Sequence, residues 1–85
     1  MRKIEKLMCQ AVERCTNWMM DNTTVVRTSE NKMAVYLFQN HIADVDMCGS
    51  VIINYDTLAK WPTRTTKSRI KALKTYFGEV NNATN

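Results

Sequence analysis

The residues of this chain best placed to do chemistry are cations. Between positions 60 and 74 stand Lys60, Arg64, Lys67, Arg69, Lys71 and Lys74, with no acidic residue among them. The chain carries twelve Lys and Arg against eight Asp and Glu, so the remainder holds six basic residues and eight acidic ones. The whole positive excess therefore sits in one short segment. The same stretch supplies hydroxyls at Thr65, Thr66 and Ser68 and an indole at Trp61. Cations and hydroxyls gathered in this way suit a phosphate, through charge-assisted hydrogen bonds.

A helix beginning near Thr65 or Thr66 takes a Thr hydroxyl as its N-cap. The helix macrodipole favours carboxylates in that first turn, yet Arg64, Lys67 and Arg69 surround the positive end, at about 0.3 to 1 kcal/mol per exposed charge. A bound anion relieves the conflict, because unpaired N–H groups, hydroxyls and cations together make a phosphate site. Local inconsistency of this kind tends to mark function. The plainer reading is a solvated basic turn, since surface lysines are common on helices. The phosphate reading requires that the cations be free of the chain's own carboxylates and that the Thr66 turn be open to solvent.

Other chemistries lack their residues. Cys9, Cys15 and Cys48 are odd in number and have no C-x-x-C spacing, which argues against a disulfide framework and against a zinc site. They read as reduced, mostly buried thiols. A thiol nucleophile needs a neighbouring base, and the only histidine, His41, is expected in a turn. No enzyme, catalytic residue, metal or cofactor is expected. Asp44 and Asp46 fall on one face of a strand with Asp56 beyond, but no glycine-bearing calcium loop accompanies them. They read as a solvated acidic patch, opposite in sign to the last helix.

The elements that must position the basic segment follow from periodicity. Eighty-five residues allow one domain with a modest core, here residues 1–78, with 79–85 expected as a flexible polar tail. No apolar run approaches the roughly 20 residues that cross a bilayer, and no signal-peptide pattern opens the chain, so the cytoplasm where it is made is expected and no membrane partner. Ile4, Leu7, Met8, Ala11, Val12 and Cys15 recur at helical spacing and predict an amphipathic first helix, with Trp18, Met19 and Met20 prolonging its apolar character into the exit. From Thr23 to Tyr55 the period becomes two and β-branched residues accumulate. Four antiparallel strands are expected, over 23–28, 33–39, 42–47 and 51–55, with Asn40-His41 as a two-residue turn and Val51, Ile53 and Tyr55 on one face.

Val35 and Leu37 alternate with Tyr36 and Phe38, so the second strand is apolar on both faces and reads as central. Tyr36 and Phe38 as a base-stacking platform would need the K/R-G-F/Y-G/A-F motif of small sheet-type RNA binders, which is absent, and ordinary sheet packing is the reading kept. Residues 56–60 lead out of the sheet, and Trp61-Pro62 fixes an extended approach. Trp61 reads as an anchor that caps the core, with base stacking beside Arg64 as the other reading. In the final helix Ile70, Leu73 and Phe77 form one stripe and Lys67, Lys71 and Lys74 another, and Gly78 closes it. The fold class is α+β: an N-terminal amphipathic helix, a four-stranded antiparallel meander and a C-terminal basic helix.

Three segments carry a resemblance. Asn22-Thr23-Thr24-Val25, Ala34-Val35-Tyr36-Leu37-Phe38-Gln39-Asn40-His41-Ile42-Ala43 and the run from Trp61 through Lys67-Ser68-Arg69 to Leu73 resemble a group of small tailed-bacteriophage proteins with the patterns N-T-x-V, V-Y-L-x-x-N-x-I-A and W-x-T-x-T-T-K-S-R-I/L-x-A-L. The likeness spans most of the chain after Asn17 and departs from the pattern at Phe38-Gln39, where the group often has His-Gly. It implies a phage origin and a bacterial cytoplasm, and no activity. Two functions of different class are expected from the residues. One is an accessory protein binding DNA or RNA through Arg64, Thr65, Thr66, Lys67, Ser68, Arg69, Lys71, Lys74 and Trp61. The other is a module that modulates a host enzyme or defence factor through an acidic partner or an open sheet edge. Homodimerisation through an edge strand is compatible with either.

Overall fold

A computed structural model of the chain describes residues 1–78; the expected tail over 79–85 lies outside the described residues. The elements in order are α1 (Lys3–Glu13), β1 (Trp18–Met20), β2 (Thr23–Ser29), β3 (Lys32–Leu37), β4 (Asn40–Asp46), β5 (Val51–Ile53), α2 (Tyr55–Lys60) and α3 (Arg64–Tyr76). The five strands form one antiparallel meander in sequence order. β3 is the central strand, as its two apolar faces require, and the short strands β1 and β5 are the edges.

The register assigns the two faces. Val25 pairs with Val35, Val35 with Ala43 and Ala43 with Ile53, and this row is buried under the helices together with Met8, Val12, Ile70 and Leu73. One residue along, Val26 pairs with Ala34, Ala34 with Asp44 and Asp44 with Ile52. That row lies on the sheet's other face, where Ile52 is exposed. α1 packs on β1 and β2, and α3 on β4 and β5. Each large aliphatic side chain buried between these layers contributes roughly 1.5 to 3 kcal/mol.

α1 and α3 lie side by side and run in the same direction. Glu5 meets Ser68 and Arg69, Cys9 meets Ala72, and Glu13 meets Tyr76, so contacts advance four residues at a time along both helices. The Cys9 thiol donates to the Ala72 carbonyl and the Tyr76 hydroxyl donates to Glu13 Oε1 at 2.7 Å.

The structure corrects the expected pattern in four places. The sheet has five strands instead of four, because the apolar Trp18–Met20 segment does not prolong α1. Cys15 takes a left-handed backbone (φ 55) just past the Arg14 cap, and Asp21 (φ 51) turns the chain so that Trp18–Met20 pairs with β2. Asn17 completes that edge, its side-chain oxygen accepting from the Arg27 N–H at 2.8 Å. Second, residues 55–60 form the short helix α2, capped by Asn54, whose side chain accepts from the Thr57 N–H. Six residues without a buried side chain leave no apolar period to read, and Tyr55 is exposed on this helix instead of facing the core.

Third, the β3–β4 turn is Phe38-Gln39, not Asn40-His41. Both turn residues have positive φ (52 and 70), the backbone of a tight I′-type hairpin. Asn40 and His41 pair with Leu37 and Tyr36, and the register shift beyond that pair leaves Ile42 without an opposite residue. Fourth, the thiols are not mostly buried: Cys9 is, Cys15 is half-buried and Cys48 is exposed.

A left-handed backbone costs an L-residue with a Cβ about 1 to 2 kcal/mol, and Asn-Gly fits such a turn best. The double substitution Phe38→Asn, Gln39→Gly is expected to raise the melting temperature by several degrees, roughly 4 to 8 °C per kcal/mol in a domain of this size. An unchanged or lowered midpoint in thermal unfolding followed by circular dichroism contradicts the turn assignment.

Candidate nucleic-acid interface

The basic segment is split by the fold into an interior part and a surface part. Pro62 leads into Thr63, which is the true N-cap of α3: its hydroxyl accepts from the Thr66 N–H at 3.1 Å, and its carbonyl accepts from the Lys67 N–H at 3.0 Å. The Thr63 and Thr66 hydroxyls share a further hydrogen bond of 2.8 Å, and Thr66 is only 2 % exposed. The Thr66 N–H is therefore satisfied within the chain, and with Thr66 buried the requirement that its turn face solvent is not met. The expected anion site at this helix end is overturned for Thr66.

Arg69 and Ser68 are also withdrawn from the surface. Arg69 is 3 % exposed and its Nη1 donates to Glu5 Oε2 at 2.8 Å. Arg69 Nε donates to Thr23 Oγ1 at 3.1 Å, and Nη2 reaches Asn22 Oδ1 at 3.5 Å. Ser68 donates to the same Glu5 oxygen, while the Arg2 N–H donates to the other at 3.3 Å. The sequence held the signal for this network. Thr66, Arg69, Ala72 and Leu73 share one helical face at i, i+3, i+6 and i+7, and Glu5 sits with Met8, Cys9 and Val12 at i, i+3, i+4 and i+7. A lone cation on one apolar face and a lone carboxylate on another are complementary, and buried charges survive only when paired.

Burial by itself would raise the Glu5 pKa. The hydrogen bonds from Ser68, Arg69 and the Arg2 N–H, with the Arg69 charge, outweigh it and hold the carboxyl below its ordinary value. Burial first, and then the negative charges of Glu5 and Glu13, push the Cys9 thiol up to about 12, so it is no nucleophile. The Glu13 hydrogen bond, foremost, raises the Tyr76 hydroxyl.

The surface part keeps its cations. Lys60, Arg64, Lys67 and Lys71 are exposed and Lys74 is half-buried, and among the described residues none of them is ion-paired. Lys67, Lys71 and Lys74 line one groove of about 330 Å³ whose floor is Leu58 and Ile70. Arg2, which the sequence reading left out of the site, is exposed and lines with Lys71 a groove between the parallel helices, so the positive surface extends to the start of α1. The opening Met1-Arg2-Lys3 was its only signal. Trp61 does not cap the core: it is 51 % exposed, and with Thr65 it lines a cleft beside the start of α3.

The remaining candidates are spoken for locally. Asp44 Oδ1 lies 2.9 Å from His41 Nε2, whose ring also stands against Tyr36. Asp46 Oδ1 accepts from the N–H groups of Cys48 and Ser50 and shapes the β4–β5 turn. Among the described residues no three His, Cys, Asp or Glu side chains gather, and no helix is long and apolar enough to cross a membrane.

What emerges is a parallel helix pair locked by a buried Ser68-Arg69 to Glu5 and Asn22-Thr23 network, with a cationic outer face. The two resembling segments Asn22-Thr23 and Lys67-Ser68-Arg69 are thus one physical unit. A family model describing the Kyanoviridae Gp96 protein matches residues 1–84. The chain belongs to that family. It is therefore a bacteriophage protein. No curated protein and no solved structure matches it.

For this Gp96 family chain, Arg69→Ala is expected to cost about 3 to 5 kcal/mol, because it strands a buried carboxylate. Denaturant unfolding measures it, and a loss below 1 kcal/mol contradicts the pairing. Since the folded Glu5 pKa lies below its ordinary value, its contribution is complete above the ordinary range and is lost as pH falls through the folded value, from about pH 5 downward. The Gp96 chain with Glu5→Gln should be less stable at neutral pH but show a flatter acid limb. Toward a thiol reagent, Cys48 should react first and Cys9 only on unfolding; early modification of Cys9 in peptide mapping contradicts its burial.

Proposed function

We propose that this Gp96 family protein is a non-enzymatic phage accessory protein that binds nucleic acid in the cytoplasm of the bacterial host. The contacts are electrostatic, from Lys60, Arg64, Lys67, Lys71, Lys74 and Arg2 to backbone phosphates. The observation that carries the reading is the segregation of charge. Arg69 is consumed inside the protein by Glu5, whereas its neighbours along α3 stand on one outward stripe with no described carboxylate to neutralise them. Ammonium groups on a helix face suit phosphate oxygens, and displacing counterions from the nucleic acid drives the association. The site differs from the one the sequence suggested: it is a lysine-lined face, with no helix-end phosphate cradle and no part for Thr66, Ser68 or Arg69.

A protein partner is the second reading. It is favoured by the uncovered sheet face, where Met19 and Ile52 are exposed, and by the free edges of β1 and β5, which offer strand addition.

Binding to labelled DNA or RNA should weaken steeply with salt. Lys67→Ala with Lys71→Ala should lower the slope of log K against log salt by roughly 1.4 to 1.8, the loss of two phosphate contacts. Thermal stability should change little, because both side chains are exposed. Absence of binding at low salt contradicts the proposal. Partners captured from host lysate should disappear on nuclease treatment; a partner that survives it transfers the face to the protein reading.

A further inference from the structure

Two aromatic rings stand in solvent where the fold has no use for them. Phe38 is 66 % exposed and Trp61 51 %. They come from different elements, the β3–β4 turn and the loop between α2 and α3, yet both line one cleft of about 190 Å³. Leu37 and Ile42, both buried, form its apolar depth, and Asn40 and Thr65 add polar groups. The backbones that carry the rings are pinned. The Phe38 N–H donates to the Asn22 carbonyl and the Trp61 N–H to the Thr57 carbonyl, each at 2.8 Å. The backbone at both positions is thus fixed, while the rings themselves are not packed away.

Phe38 makes the case sharper, because it occupies a left-handed turn position at φ 52. Asn or Gly serves that position better, and Phe gains little burial there. Strain of this kind persists where it has a use. Arg64 and Lys67 begin α3 directly after Trp61, and both are exposed. Flat apolar rings beside a cationic track are what a strand of unpaired bases requires, for every base has a face to stack and every linkage a phosphate. Bases within a duplex already stack on one another and cannot enter such a cleft.

We propose that the Phe38–Trp61 cleft receives an unpaired base, so that the nucleic acid bound by the α3 face is single-stranded. This rests on the phosphate-contact reading above and adds the class of strand. Phe38 and Trp61 stack on bases, and the lysines follow the backbone.

The test is fluorescence anisotropy at several salt concentrations with labelled oligo(dT), oligo(U) and a duplex of the same length. The proteins are the wild type, Phe38→Asn, Trp61→Ala and the Lys67→Ala, Lys71→Ala variant. Phe38→Asn suits the turn and keeps the fold, and circular dichroism checks Trp61→Ala. Either single strand should bind more tightly than the duplex. Each aromatic substitution should weaken single-strand binding by roughly 5- to 150-fold, with the salt slope and duplex binding unchanged. Duplex binding as tight as single-strand binding, with both aromatic variants like wild type, overturns the single-strand assignment and leaves the phosphate reading standing. No binding of any of the three at low salt overturns both. A nuclease-resistant protein partner lost in the Phe38→Asn and Trp61→Ala variants also overturns the proposal, by giving the cleft to a protein.

Discussion

The contact between Glu5 and Arg69 is the constraint on which the rest of this small domain depends. It joins residues 64 positions apart, and through Thr23 and Asn22 it ties α3 to the start of β2 as well as to α1. Neither charge tolerates the interior alone, since an unpaired buried ion costs several kcal/mol. Together they fix how far α3 can slide along α1, because a shift of one turn would leave both unpartnered. Apolar burial, as of Leu73 and Met8 in the common core, supplies the stabilisation but is tolerant of register. The polar network decides it, and among the described residues no buried side-chain nitrogen or oxygen is left without a partner.

That constraint also explains the shape of the electrostatics. With Thr66, Arg69, Ile70 and Leu73 on the inward face, the helical period gathers Lys67, Lys71 and Lys74 on a separate stripe, Lys67 and Lys71 exposed and Lys74 half-buried. The lysine stripe is therefore a geometric consequence of the lock. The parallel course of α1 and α3 adds to it by bringing the positive ends of both helices, with Arg2, to the same end of the molecule.

Much of this was legible before the structure. The apolar spacing of Ile4, Leu7, Met8 and Val12 identified α1, the doubly apolar Val35 to Phe38 run identified the central strand, and the lysine stripe stood out in α3. What escaped were features set by single backbone conformations or by the third dimension. Cys15 and Asp21 in the left-handed region convert Trp18–Met20 from a helix exit into a strand; Asp21 is a turn former that enters this region readily, but nothing in Cys15 announces it. The Phe38-Gln39 turn defies its own preference. Arg69 was counted with the surface cations because charge was tallied along the chain instead of by helix face.

The order in which contacts become possible differs sharply across the domain. Each strand of the meander pairs with the next one in the chain, so the sheet can zip up from neighbouring hairpins as the polypeptide leaves the ribosome. α1 can cover the inner side of β1 and β2 early, whereas the part of the core that α3 covers, over β4 and β5, stays open until α3 docks. Until then that apolar surface is open to solvent, and the docking of α3, with Arg69 meeting Glu5, closes it.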